Sequence, residues 1–173
     1  MSNDFINIDY GWLPRLDLCW DITTGIPFDS NSIKGIYTEH CLEHINFLPC
    51  QNVINDFFRL LQPGGVVRII VPDAELYINL YIKSKNGETV TFPYVTDEEF
   101  ETGFFPIMAV NRVFRNHGHL YYHYFDTISM MLRKAGFVDI SKESFMKGRD
   151  RRMLMDSEER TVESLYVEEV KPL

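Results

Sequence analysis

The 173-residue sequence predicts an α/β fold with a parallel sheet, and three stretches in succession predict it. Ile33 to Thr38 is short and β-branched around Ile36 and Tyr37, as a strand should be. From about Gln51 to Leu61 the apolar residues Val53, Phe57, Leu60 and Leu61 fall on one helical stripe, widened by Ile54 and Phe58. Val66 to Val71 is apolar at nearly every position, which suits a strand covered on both faces. Between helix and strand, Pro63, Gly64 and Gly65 stop the helix and turn the chain. Ile33 to Asp73 is therefore a βαβ unit, and such units place ligand sites at the carboxyl ends of their strands.

The remaining elements follow from local chemistry. Met1 to Asp4 should carry no regular structure. Phe5 to Ile8 alternates and ends at Asp9, a short strand with an acid at its carboxyl end. Leu16 to Ile22 is a second strand candidate, with Leu16, Leu18 and Trp20 on one face. The run TTGIPFDSNS is turn chemistry. AELYINLYI, from Ala74, reads as helical. Thr96 with Glu99 forms a capping box, and Pro106 starts a helix running from Ile107 to about Asn116. The whole of Ala74 to Gly118 should lie over the carboxyl edge of the sheet as a lid that selects substrate. Asp126 is placed to cap a final helix, Thr127 to Ala135, with Phe125 and Met130 as a hydrophobic staple and Gly136 ending it. Val138 to Phe145 and Ser164 to Val170 are two last strands.

With 45% hydrophobic residues the chain can bury one core, so residues 1–173 are expected to form a single domain. No apolar run approaches the ~18 residues that span a bilayer, and Met1 to Tyr10 has no signal-peptide pattern. No membrane partner is expected. Cys19, Cys41 and Cys50 are odd in number and lack a CxxC pair, which points to free thiols in a reducing, cytoplasmic compartment. A net charge of −8 argues against a nucleic-acid partner. The local basic stretch from Lys142 to Arg152 reads first as a solvated loop, and second as an anion-recognition patch.

The run TEHCLEH, then a helix ending FFRLLQPGG, then a strand ending VPD, resembles the second half of a class I S-adenosylmethionine (SAM)-dependent methyltransferase of the methyltransferase type 11 branch. DITTGIPFDSNSIKGIY resembles that branch's D-L-T…LPF…S-F-D-x-I-Y run, with Gly35 where an Asp is usual. NHGHLYYHYFDTISMMLRKAGF and SLYVEEVKP resemble its closing helix and final strand. The resemblance implies a Rossmann-like, mostly parallel sheet with an antiparallel C-terminal strand pair. It also implies SAM as cofactor and a small or carbohydrate-like molecule as acceptor.

The family's glycine-rich turn after its first strand has no counterpart in this sequence. FINID aligns with the family's second strand, and the first strand, the turn and the following helix are missing. In the family that first strand is central. Its loss leaves two expectations: FINID shifts into the vacant slot, or another chain covers the gap. The second, together with an uncovered apolar face, predicts a homodimer.

Residue by residue, the resemblance implies Asp9 for the ribose of SAM, Asp21 and Ile22 for the adenine edge, and Glu39 and His40 beside the methionine part. Asp9 reads equally as a strand-end acid facing water, and Asp21 as a turn former ahead of Thr23 and Thr24. His40, His119 and Asp73 are the candidate general bases, histidine being apt because it titrates near neutrality. His40, Glu43 and His44 invite a metal reading, joined by His117, His119 and His123 only if the lid folds back. The order H-C-L-E-H differs from the H-E-x-x-H of zinc proteases, so packing at the pocket rim is expected and no metal. Tyr121, Tyr122, Tyr124 and Phe125 read as core, or as an acceptor pocket.

Overall fold

A computed structural model describes residues 5–101 and 103–173, without the side chains at positions 97 and 100. The expectation for Met1 to Asp4 lies outside these. In chain order the elements are β1 (Ile8–Asp9), β2 (Leu18–Cys19), β3 (Ile33–Glu39), α1 (Phe47–Leu60), β4 (Leu61–Pro72), α2 (Ala74–Lys85) and α3 (Asp97–Glu101). They continue with α4 (Pro106–Arg115), α5 (Phe125–Ala135), β5 (Val138–Glu143) and β6 (Ser164–Val170).

The βαβ unit forms as the sequence implies. β3 and β4 pair in parallel, with α1 as the crossover. The helix begins at Phe47 rather than Gln51, because Pro49 falls in its first turn, where a missing N–H breaks no bond. β4 begins at Leu61 rather than Val66. Its glycines make a bulge inside the strand: Gly64 adopts φ +78° and donates to the Lys171 carbonyl (2.8 Å), and Lys171 N–H returns a bond to Gly65 (2.9 Å). A Cβ on Gly65 would lie 2.8 Å from the Gln62 carbonyl oxygen, so no other residue fits there without a shift.

The main sheet has the order β3-β4-β6-β5, with β6 antiparallel to both neighbours. The expected antiparallel C-terminal pair is thus present, at one edge. Helices α1 and α5 cover one face. Val53, Phe57, Ile128, Met131 and Leu132 pack there with Val67, Ile69, Val71, Leu165 and Val167. Fully burying one such side chain is worth roughly 1.5–3 kcal/mol. On β4, Arg68 is fully buried, held by both oxygens of Asp156 (2.8 and 2.5 Å) and by Glu168 (2.8 Å). The basic stretch is largely engaged within the chain: Lys142 faces Asp73, Arg149 donates to the Asp139 carbonyl, and Arg152 pairs with Asp150.

β1 and β2 pair in parallel and form a separate two-stranded sheet. FINID therefore does not move beside β3. The expected strand Leu16 to Ile22 is cut to two residues because Asp21 caps a 3₁₀ turn, Ile22–Thr24, accepting from Thr23 N–H (2.9 Å). Among the described residues, no strand pairs with the outer edge of β3.

The segment from Ala74 to Gly118 has its own small core, with Tyr77, Phe92, Ala109 and Val113 at its centre. Thr96 and Glu99 cap each other reciprocally, and Pro106 is the first residue of α4, both as expected. The last helix differs at its start. α5 begins at Phe125, and the capping side chain is Thr127, which accepts from Tyr124 N–H (3.0 Å), not Asp126. Gly136 ends it at φ +107°. Among the described residues, no helix is long and apolar enough to cross a membrane.

Candidate functional site

The gap between the two sheets is an open cleft of about 1340 Å³. β3 forms one wall along its whole length; the other includes Ile6, Ile8, Asp9, Tyr10, Trp20, Asp21 and Ile22. Its floor is shaped partly by Gly35, where a Cβ would meet Met153 Sδ at 3.0 Å. A larger side chain at position 35 would have to displace the end of the Met153 side chain.

Asp9, Asp21, Ile22, Glu39 and His40 all line this cleft. Asp9 is exposed at the end of β1; its Oδ1 accepts from Gly11 N–H (2.8 Å). Asp21 Oδ1 is engaged in its turn, by Thr23 N–H and by Thr23 Oγ1 (2.6 Å), and those bonds hold its carboxyl below the usual range. Glu39, at the carboxyl end of β3, is bound on both oxygens. Oε1 accepts from Ser157 N–H (2.9 Å), and Oε2 from Ser157 Oγ (2.8 Å) and the Tyr37 hydroxyl (3.0 Å). Ser157 and Tyr37 are the partners that sequence reasoning missed. Tyr37 lies two residues from Glu39 on one face of β3, a period-2 signal open to reading. Ser157 carries none.

His40 has φ +46°, so the chain turns sharply at the strand end, and His40 and His44 do not share a helix. Its Nε2 lies 2.9 Å from Ser164 Oγ and its Nδ1 3.6 Å from Glu43 Oε1. Burial, with Arg160 nearby, lowers its pKa to about 3. Such an imidazole is neutral at physiological pH and a poor proton acceptor.

Asp73 and His119 are not on the cleft wall. Asp73 is the N-cap of α2, accepting from Glu75 N–H (3.1 Å), with Lys142 Nζ 3.4 Å from its other oxygen. It is positioned to fix the strand-to-helix turn, not to face the cleft.

His119 meets a different group. The backbone N–H of Leu120 and of Tyr121 both donate to the Glu43 carbonyl (2.8 and 3.1 Å), which brings His119 to the 3₁₀ turn Leu42–His44. His119 Nδ1 lies 2.8 Å from the Val113 carbonyl and also against the Tyr122 hydroxyl; donation to the carbonyl, which can only accept, puts the proton on Nδ1 and the lone pair on Nε2. That Nε2 lies 4.0 Å from Glu43 Oε1, and His44 Nε2 lies 3.9 Å from the same oxygen. Glu43 is 1% exposed, and neither of its carboxyl oxygens has a hydrogen-bond partner among the described residues. Burial pushes its pKa up to about 8. An ionised carboxylate left so would cost several kcal/mol.

No family model matches the chain, and no curated protein matches it. Solved structures do. A SAM-dependent methyltransferase from Archaeoglobus fulgidus aligns over 91% of this chain and 68% of its own, with TM-score 0.53 and 12% identity. A SAM-dependent methyltransferase from Thermotoga maritima aligns over 90% and 64%, with TM-score 0.52 and 13% identity. The SAM-dependent methyltransferase SibL, in its apo form, aligns over 92% and 37%, with TM-score 0.51 and 16% identity. The chain has the class I SAM-dependent methyltransferase fold. Across these three structures it spans 37% to 68% of their length.

Proposed function

We propose that the chain is a SAM-dependent methyltransferase domain acting on a small or carbohydrate-like acceptor in the cytoplasm. The observation that carries the reading is that Asp9, Asp21 and Glu39, from three different strand ends and turns, stand on the walls of one cleft. The space exceeds the ~300–1,000 Å³ of ordinary small-molecule sites, so it is roomy enough for a cofactor and an acceptor together.

The residues fit the cofactor unevenly. Asp9 fits best: it is exposed, and one oxygen makes no hydrogen bond among the described residues, leaving it open to ribose hydroxyls. Asp21 and Ile22 would flank the adenine, and Glu39 and His40 the amino-acid part. Bound SAM supplies an electrophilic methyl group. The chain's own contribution is orientation and exclusion of water. Proton abstraction by His40 is not part of the reading, since its burial weakens it as a base. The acceptor class is supported by the exposed rings of Tyr10 and Trp20, which line the same cleft as Asp150 and Arg152, flat faces and hydrogen-bonding groups that suit a polyhydroxyl ligand.

A second reading is favoured by one observation. Both oxygens of Glu39 are already taken by Ser157 and Tyr37, which suits a domain of the same fold that binds a partner and no SAM. Calorimetric titration with S-adenosylhomocysteine separates the two. The enzyme reading expects measurable binding that Asp9→Ala weakens at least tenfold while the melting temperature stays within about a degree. Absence of heat and of any thermal shift at millimolar ligand leaves only the binding module.

A further inference from the structure

We propose that Glu43, His44 and His119 form a binding site for a divalent transition metal of the zinc class. The ligands are Glu43 Oε1 and the Nε2 atoms of the two histidines. This inference does not depend on SAM binding.

One ligand atom from each of the three residues lies within 4.8 Å of the others. A zinc ion at ~2.0–2.1 Å from tetrahedral ligands sets them about 3.4 Å apart. The observed 3.9 and 4.0 Å from Glu43 Oε1 to the two imidazoles need to close by about half an ångström, within reach of side-chain torsions.

Two further observations point to a ligand there. The Glu43 carboxyl is almost wholly buried and unpartnered on both oxygens among the described residues, as is that of Glu169, but only Glu43 has two imidazoles turned toward it, and folded proteins leave such groups unpaired only rarely. Around Glu43 stand imidazoles and, among the described residues, no Lys or Arg within salt-bridge distance. Second, His119 Nδ1 is held from behind, by the Val113 carbonyl and the Tyr122 hydroxyl. In the tautomer that donates Nδ1–H to the Val113 carbonyl, the Nε2 lone pair faces Glu43. A backbone bond on the far nitrogen is what orients a metal-bound histidine.

The donor set selects the ion. Two imidazoles and one carboxylate suit zinc and its neighbours, whereas magnesium and calcium take oxygen ligands. Three protein ligands leave a fourth position open, the pattern of reactive rather than purely structural zinc. His44 is the outermost ligand, with its side chain 38% exposed, and it also lines the cleft. It gives the ion a route in and sets the open position toward the cleft. His40 Nδ1, 3.6 Å from the same Glu43 oxygen, buttresses the carboxylate from within the cleft wall.

The test uses the full chain, stripped with a chelator and titrated calorimetrically with zinc chloride. One equivalent should bind with micromolar or tighter affinity and raise the melting temperature, while magnesium chloride does neither. Cobalt(II) should give the intense visible bands of a four-coordinate site. Glu43→Gln, which keeps the shape, and His44→Ala, at an exposed position, should each weaken zinc at least tenfold. His117→Ala should not. If wild type binds no zinc at 100-micromolar metal, on the order of the weakest affinity a built site would show, the proposal fails. It fails equally if both variants bind as tightly as wild type, since the metal then sits on the cysteines or elsewhere. Should Glu43→Gln not fold, His44→Ala alone decides.

Discussion

His123 is fully buried with its Nδ1 unpartnered among the described residues; its Nε2 is 3.9 Å from Cys50 Sγ. Burial lowers its pKa to about 4 from the ordinary 6.5. Because the native imidazole refuses a proton that the unfolded chain accepts, stability from this residue is complete above pH 6.5 and is lost as pH falls toward 4. The loss is on the order of 3 kcal/mol at about 1.4 kcal/mol per pH unit. Chemical denaturation of wild type and His123→Leu at pH 7 and pH 5 should show a steeper acid loss in wild type; parallel losses would overturn the assignment. Arg68 poses the opposite problem, a buried cation with two buried acids, Asp156 and Glu168, committed to it. Arg68→Leu leaves Asp156 and Glu168 buried without their partner and should destabilise by roughly 3–5 kcal/mol in the same measurement. A loss below 1 kcal/mol would mean that the two acids reach water.

At the scale of elements, the end of α5 is a compact test of why the chain stops where it does. Gly136 sits at φ +107°, and a Cβ there would meet the Phe58 ring at 3.0–3.1 Å. Gly136→Ala therefore combines left-handed strain with a clash and should lower stability by about 1–3 kcal/mol in urea unfolding. A neutral result would show that Phe58 and the turn both yield easily. Such elements were legible in the sequence because their causes are local: the apolar stripe of α1, the Thr96–Glu99 cap, Pro106 at its helix start, Gly136 at its end. Misjudged elements had rival local causes. Asp21 could end a strand or cap a turn, and the turn won, shortening β2. Thr127 and Asp126 both suit a helix start, and Thr127 took the role. The candidate site divides the same way. The resemblance, and not spacing, singled out Asp9, Asp21, Glu39 and His40, and all four line the cleft. The partners of Glu39 at Ser157 and of Glu43 at His119 depend on long-range chain paths that no spacing encodes.

For the whole molecule, the decisive feature is two strand edges left open toward one cleft. Among the described residues β3 is paired only on its β4 side and β1 only with β2, and the cleft between them is lined by both. Open edges carry unpaired N–H and C=O groups that recruit other strands. Large apolar side chains stand exposed on the β1–β2 segment beside it: Ile6, Tyr10, Trp12 and Leu13, with Tyr10 and Trp12 more than three-quarters exposed. FINID does not fill the gap, so of the two routes set out from the sequence, cover by another chain is the one we carry forward, and a second copy is the simplest source. Sedimentation velocity at tens of micromolar should then report a dimer. Trp12→Glu places a charge on the exposed patch without touching the core, and should shift the boundary toward monomer while leaving the melting temperature unchanged. A wild-type boundary at monomer mass throughout that range would remove the dimer. A dimer indifferent to Trp12→Glu would move the interface to another surface. Either way the size of the cleft gains a clear meaning: space a partner fills, or space kept for ligand.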